Sequence, residues 1–135
     1  MSKHFFLIDD DDDELDIFME AMAKLPFACK CTYASKSEQA LDMLNYLTPD
    51  VIFIDMDMPL INGFDCVRRI REKANHKETN IVLYFNNLPD ELAREAVATG
   101  VTSCVRKTIS ISELVKAMEG VLRSTPARAS SLSAQ

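Results

Sequence analysis

The sequence has no apolar run long enough to cross a bilayer, and its opening stretch, Met1-Ser-Lys-His-Phe-Phe-Leu-Ile8, is too short in apolar residues for a signal peptide. A cytoplasmic protein with no membrane partner is expected. Positive charge is also scarce: 15 Lys and Arg stand against 21 Asp and Glu, a net charge of -6 and a pI near 4.9. Nucleic acid demands a basic footprint, so it is excluded as a partner. Cysteine is present but unpatterned. Cys29 and Cys31 alternate on one face of a predicted strand, Cys66 falls on a helix and Cys104 on another strand. That spacing fits neither a disulfide framework nor a zinc site, and buried free thiols acting as small hydrophobes are expected. His4 and His76 have no companion motif, so surface or edge positions are expected rather than ligation.

What is present is organised around Val51-Ile-Phe-Ile-Asp55-Met-Asp57-Met-Pro59-Leu-Ile-Asn62-Gly63. A β-branched and aromatic run between two prolines reads as a strand buried on both faces, as in a parallel sheet. Asp55 then stands at its carboxyl end, where open α/β sheets bind ligands. Taken alone, Asp55 could equally cap a turn. Phe5-Phe-Leu-Ile8 has the same grammar and runs into the five aspartates Asp9 to Asp13, then Glu14. On a surface these would form a self-repelling charge run. At a strand end they crowd carboxylates into one crevice, raising their pKa values unless a cation neutralises them, and a hard oxygen-seeking ion such as Mg²⁺ suits that task. A third strand, Val101 to Val105, ends in Arg106-Lys107 and would bring an ammonium to the same place. A carboxylate nucleophile, a divalent cation and an ammonium are the parts needed to take up a phosphoryl group.

Asp9-Asp10 after strand one, Asp55-x-x-Met58-Pro59-x-x-x-Gly63 after strand three and Lys107 after strand five together resemble the receiver domain of bacterial two-component response regulators. The resemblance covers roughly residues 3 to 123, and the long acidic run is similar to that of small stand-alone receivers. The rest of the chain agrees with five strand-then-helix repeats. Helix one is expected over about 12 to 25, stopped by Pro26, and strand two over about 27 to 33, alternating and so near a sheet edge. Ser35-x-x-Glu38 reads as a capping box for helix two, and Asn62-Gly63 turns the chain into helix three, with Arg68, Arg69 and Arg71 facing water. Strand four is Ile81 to Phe85; Asn86 or Asn87 is expected to cap helix four, with Pro89 in its first turn and Gly100 past its end. Ser110-x-x-Glu113 opens helix five. The expected fold is α/β, a doubly wound five-stranded parallel sheet with helices on both faces and the flavodoxin-like strand order 2-1-3-4-5. Residues 1 to 123 make the domain; 124 to 135 are a polar tail or linker stub with no periodicity, and no output module is expected after it.

The resemblance implies a role for each matching position. Asp55 would be the phosphoacceptor, charged from the phosphohistidine of a sensor histidine kinase or a histidine phosphotransfer protein. Asp10 would bind Mg²⁺ directly, Asp9 through water or position, Asp55 through its carboxylate and Asp57 through its main-chain carbonyl. Lys107 would pair with the phosphoryl oxygens. Partners would meet the surface of helix four, strand five and helix five, a homodimer among them. The sequence departs from the family's pattern at its switch positions: Phe85, followed by Asn86, stands where a hydroxyl residue is expected, Cys104 where an aromatic is common, and Thr108 where a proline follows the lysine. With Thr108 there, the loop after strand five is expected to shift and to place the Lys107 ammonium less firmly. Two further readings compete: a degenerate receiver serving as an unphosphorylated scaffold, and a haloacid-dehalogenase-like phosphatase, whose first motif Asp55-x-Asp57 also resembles, although Pro59 stands where that motif wants Thr or Val.

Overall fold

The apolar runs occupy the middle of a five-stranded sheet in a computed structural model that describes residues 2–58, 62–107 and 110–123. The strands are β1 (Lys3–Ile8), β2 (Cys29–Ala34), β3 (Val51–Asp55), β4 (Asn80–Phe85) and β5 (Ser103–Arg106). They pair in parallel in the order β2-β1-β3-β4-β5, the expected doubly wound, flavodoxin-like arrangement. Residues Val51 to Asp55 and Asn80 to Phe85 are buried throughout, as strands covered on both faces must be. β2 lies at an edge and is mostly only partly buried, without the alternation expected of it.

The helices are α1 (Asp12–Ala23), α2 (Ser37–Met43), α3 (Gly63–Glu72), α4 (Asp90–Thr99) and α5 (Ile111–Arg123), with a 3-10 turn at Ala74–His76. Alternate strand residues divide the core in two. Phe6, Ile8, Ile52 and Ile54 face α2, α3 and α4, while Phe5, Leu7, Val51 and Phe53 face α1 and α5. On the second face Phe18 stands edge-on to Phe53 at 4.9 Å, and Phe53 edge-on to Tyr84 at 5.7 Å. Each such pair contributes about 0.5–1.5 kcal/mol beyond the area it buries. This aromatic stack is the floor beneath the ends of β1, β3 and β4.

Two helix starts differ from expectation. Strand β2 keeps pairing with β1 through Ala34, so Ser35 and Lys36 are consumed by the turn; Lys36 is the N-cap of α2 and no side chain caps it. The Ser35 capping box does not form. Pro89, not Asn86 or Asn87, is the N-cap of α4, again without a side-chain cap. Proline pushes the residue before it out of helical geometry, which delays the helix, and Asp90 and Glu91 complement its dipole instead. The Ser110 box does form: the Ser110 Oγ accepts from the Glu113 N–H at 3.2 Å and the Glu113 carboxylate accepts from the Ser110 N–H at 3.0 Å. Helix α1 ends at Ala23, two residues short of the expected Leu25.

Three side-chain expectations are also corrected. Arg71 is half-buried at the end of α3 and bonded to main-chain carbonyls, rather than facing water with Arg68 and Arg69. Both histidines are buried. The His76 ring bridges the Leu44 carbonyl at 2.8 Å and the Thr79 hydroxyl at 2.9 Å, so its Nε2 donates and its Nδ1 accepts in the neutral form; His4 Nε2 meets Thr32 Oγ1 at 2.6 Å. All four cysteines are free, but only Cys66 is buried; Cys29 and Cys31 are intermediate and Cys104 is exposed. Burial pushes the Cys66 thiol up to about 11, so it is inert. Among the described residues no helix is long and apolar enough to cross a membrane. The expected tail, residues 124 to 135, lies outside the described residues.

Candidate functional site

Strands β1 and β3 are neighbours whose connections leave on opposite faces of the sheet, so a crevice opens beyond their carboxyl ends. Asp9 follows β1 and is fully buried. Its main chain is fixed by the bond from its N–H to the Ala34 carbonyl at 3.1 Å and by the Tyr33 hydroxyl, which donates to its carbonyl at 2.6 Å. Its carboxylate accepts from the Asp11 N–H at 2.9 Å. Asp10 is exposed on the rim, and Asp55 closes β3 with 5 % of its surface accessible. Carboxylate oxygens of Asp9, Asp10 and Asp55 lie within 4.8 Å of one another. Sequence reasoning brought these three together, and the structure does the same.

Lys107 completes the crevice. Its Nζ lies 2.8 Å from Asp9 Oδ2 and 3.2 Å from Asp55 Oδ1, with 6 % of its side chain exposed. The expected loose placement of this ammonium is corrected: two carboxylates pin it, and the Lys107 N–H is bonded to the Phe85 carbonyl at 2.6 Å. Asp55 Oδ1 also accepts the Asp57 N–H at 3.1 Å, which holds the acceptor carboxylate in one orientation. The chain returns beside it because the Gly63 N–H bonds the Met56 carbonyl at 2.9 Å. A Cβ at Gly63 would stand 2.8 Å from the Met56 Cα, so only glycine permits that approach. Asn62 caps α3 by accepting from the Asp65 N–H at 3.0 Å.

The electrostatics are those of too much acid and one base. Burial, outweighing the help of Lys107, raises the Asp9 carboxyl above its ordinary value. Burial and then the nearby Asp55 raise Asp10, and burial raises Glu14 on the first turn of α1. For Lys107 burial alone would lower the pKa, but the hydrogen bond and charge of Asp9, followed by Asp55, carry it upward. Every shift in the crevice asks for more positive charge, which an oxygen donor set of this kind obtains from a hard divalent cation. The residues fit Mg²⁺.

Two groups to which sequence reasoning assigned no role of their own also reach this space. Tyr84, the register partner of Asp55, is fully buried, and its ring lies beneath the Lys107 ammonium at 5.4 Å. Its hydroxyl and Glu14 Oε1 are both buried without a hydrogen bond of ordinary length. They are nonetheless near enough that the carboxylate, after burial itself, drives the phenol pKa far upward. A tyrosine inside an apolar strand reads as core; its place one residue before the strand's end was the available signal. The remaining switch positions are dispersed. Phe85 is buried with the Arg106 guanidinium 5.7 Å above its ring, Asn86 and Cys104 are exposed, and Thr108 lies outside the described residues. Asp11, Asp12 and Asp13 are exposed, Asp11 serving as the N-cap of α1 by accepting from the Asp13 N–H at 3.0 Å.

Residues 5–119 match the family model described as the response regulator receiver domain. The chain is similar to the nitrate/nitrite response regulator protein NarL of Escherichia coli, at 31% identity over 85 residues. That alignment takes in 63% of this chain and 38% of NarL. The two-component response regulator ARR17 of Arabidopsis thaliana is 25% identical over 130 residues, 86% of this chain and 84% of that protein. Among solved structures, the chemotaxis response regulator CheY4 of Vibrio cholerae superposes with a TM-score of 0.80 at 22% identity, covering 90% of this chain and 99% of that one. With the family model spanning most of its length, the chain belongs to the response regulator receiver domains.

Proposed function

We propose that this chain is a phosphoacceptor that takes a phosphoryl group on Asp55 in a Mg²⁺-dependent step and signals through protein–protein contacts as a single-domain response regulator. The donor is the phosphohistidine of a sensor histidine kinase or a histidine phosphotransfer protein. The observation that supports this most directly is the bridge from Lys107 Nζ to Asp9 at 2.8 Å and Asp55 at 3.2 Å, inside a crevice that gathers three carboxylates. In the step, an Asp55 carboxylate oxygen attacks phosphorus and an O–P bond forms. The P–N bond breaks, and its electron pair stays on the imidazole nitrogen. Lys107, already paired with Asp55, turns its N–H groups to the phosphoryl oxygens as charge moves onto them. The backbone N–H of Asp57 holds the nucleophile's orientation.

Asp10 and Asp55 would hold Mg²⁺ directly, Asp9 through water or position, and the Asp57 carbonyl would supply a neutral ligand. When bound, the ion neutralises the crowded carboxylates and the incoming phosphoryl charge. Self-phosphorylation and self-dephosphorylation are the only chemistry assigned to the chain. The signal is read in the cytoplasm by a protein target, with a homodimer through α4, β5 and α5 as one arrangement. A second reading, a scaffold that is never phosphorylated, draws on Phe85 at the hydroxyl position under Arg106.

Intact-mass analysis after exposure to acetyl phosphate and Mg²⁺ tests the proposal. One added phosphoryl group is expected in the wild type and none in Asp55→Asn. Undiminished labelling of that variant would move the acceptor elsewhere, and no labelling of the wild type would favour the scaffold. Turnover of a generic phosphate ester would favour a haloacid-dehalogenase-like phosphatase instead. Asp10→Ala is expected to abolish Mg²⁺ binding in calorimetry.

A further inference from the structure

The path of Lys107 across the sheet poses a specific problem. It starts after β5, yet its ammonium is held by Asp55 after β3 and Asp9 after β1. With strands about 4.8 Å apart, the side chain has to pass over the end of β4 before reaching either carboxylate. What lies there is Tyr84, paired on one side with Asp55 and on the other with Val105. Its ring is wedged edge-on against Phe53 at 5.7 Å and Phe18 at 6.4 Å, and so cannot swing aside. Its face meets the ammonium at 5.4 Å, a cation–π distance. Glu14 Oε1 is buried on the α1 side of the same space, and the Lys107 charge is the strongest counterweight to its desolvation.

We propose that Tyr84 and Glu14 are positioning residues for the phosphoryl step: the aromatic face and the buried carboxylate form an inner wall that keeps the Lys107 ammonium over the crevice between Asp9 and Asp55. This rests on the phosphoacceptor reading above and adds to it. The wall fixes the lysine's height and direction, while the two aspartates fix its reach. When a phosphoryl group arrives on Asp55, the ammonium has only to pivot on the ring face, with no search over the rotamers of a free lysine. The role does not need the tyrosine hydroxyl, which makes no hydrogen bond of ordinary length. It needs the flat π surface. Phe85, one residue on, cannot serve: it is turned to Arg106.

The test uses the full chain carrying Tyr84→Phe, Tyr84→Leu and Glu14→Gln, with two readouts. The first needs no phosphodonor. Lysine ε-methylene protons held over an aromatic face are shifted upfield, and the Lys107 resonances are expected to be so shifted in the wild type and Tyr84→Phe, to return to ordinary lysine positions in Tyr84→Leu, and to move part of the way in Glu14→Gln. The second is the rate of labelling by acetyl phosphate at saturating Mg²⁺. It is expected within about twofold of wild type for Tyr84→Phe and about tenfold slower for Tyr84→Leu and Glu14→Gln, the scale of a misplaced catalytic charge. If Tyr84→Leu fails to fold, Glu14→Gln, whose side chain is only partly buried, decides together with the wild-type resonances. Unshifted Lys107 resonances in the wild type, or a Glu14→Gln protein with unchanged resonances and rate, overturn the proposal. Absence of labelling in the wild type with shifted Lys107 resonances would instead overturn the phosphoacceptor reading and leave the inner wall standing.

Discussion

The Arg71 guanidinium at the end of α3 holds the Gly100 carbonyl twice, through Nε at 3.1 Å and Nη2 at 2.8 Å. Its Nη1 reaches the His76 carbonyl at 2.9 Å. One side chain thus fastens the end of α4 and the turn before β4 to α3. Arg71→Met keeps the apolar stem and removes the donors, and is expected to destabilise the fold by about 2–3 kcal/mol, since charged hydrogen bonds to buried carbonyls are lost. Urea unfolding with an unchanged slope and a lower midpoint would show it; a shift under about 0.5 kcal/mol would mean that water replaces the guanidinium. Gly100 has φ of 113°, and a Cβ there would stand 3.2 Å from Arg71 Nε. Gly100→Ala is expected to cost about 1–3 kcal/mol, and less in an Arg71→Met background, because the obstructing side chain is then gone.

Stability should respond to pH in the sense set by the crevice acids. Asp9, Asp10 and Glu14 hold their protons more tightly in the folded chain, chiefly through burial. A carboxyl raised in this way stabilises the fold fully below its ordinary value and loses that contribution as pH rises through the folded value. Their window therefore runs upward from about pH 4. Glu113 has the opposite sign, because the Ser110 backbone bond holds its carboxyl below the usual range. In chelator, thermal melts of Glu14→Gln are expected to lose less stability between acidic and neutral pH than the wild type, and equal slopes would contradict this. Mg²⁺ at 100 times its Kd is expected to add about 2.7 kcal/mol at neutral pH, an effect that Asp10→Ala removes.

Helix α5 depends on its reciprocal cap. Ser110→Ala removes the hydroxyl that accepts from Glu113 N and is expected to cost about 1 kcal/mol. Hydrogen exchange confined to the first turn of α5 would rise with it. No change in exchange at residues 111–114 would show the cap to be idle.

Phe85 lacks the hydroxyl through which a switch residue follows a phosphoryl group, and Arg106 covers its ring. Beryllofluoride with Mg²⁺ is therefore expected to shift amides around the crevice strongly and those of Pro89 to Cys104 weakly. Large shifts spreading through α4 would show that an ordinary switch operates without the hydroxyl.

The parts of the fold that were legible in the sequence are those written by burial on two faces. Phe5 to Ile8, Val51 to Ile54 and Ile81 to Phe85 have no polar side, so their placement in central strands followed, and with it the convergence of Asp9, Asp55 and Lys107. Local capping signals were weaker guides. Ser35-x-x-Glu38 and Ser110-x-x-Glu113 are the same pattern, but β2 pairing claims the residues before α2, while no strand competes for Ser110. Arg71 was placed on the solvent face of its helix, and His4 and His76 at surface or edge positions because no companion motif stood with them. The partners that bury them are the Gly100 and Leu44 carbonyls and the Thr32 hydroxyl, all distant in sequence, which no local pattern reveals. Tyr84 was hidden for the reverse reason: its ring belongs to the core, and only its neighbours make it part of the site.

The bond from the Gly63 N–H to the Met56 carbonyl ties the chain back on itself just beyond Asp55. The two ends of the connection between those residues are thereby held by the strand and by α3. Lengthening such a loop is inexpensive, about 0.6 kcal/mol for each doubling, whereas any side chain at Gly63 would pry open the clasp itself. A lineage descended from this chain could lengthen that connection beyond Asp57 while the clasp and the Asp57 N–H keep the acceptor carboxylate in place.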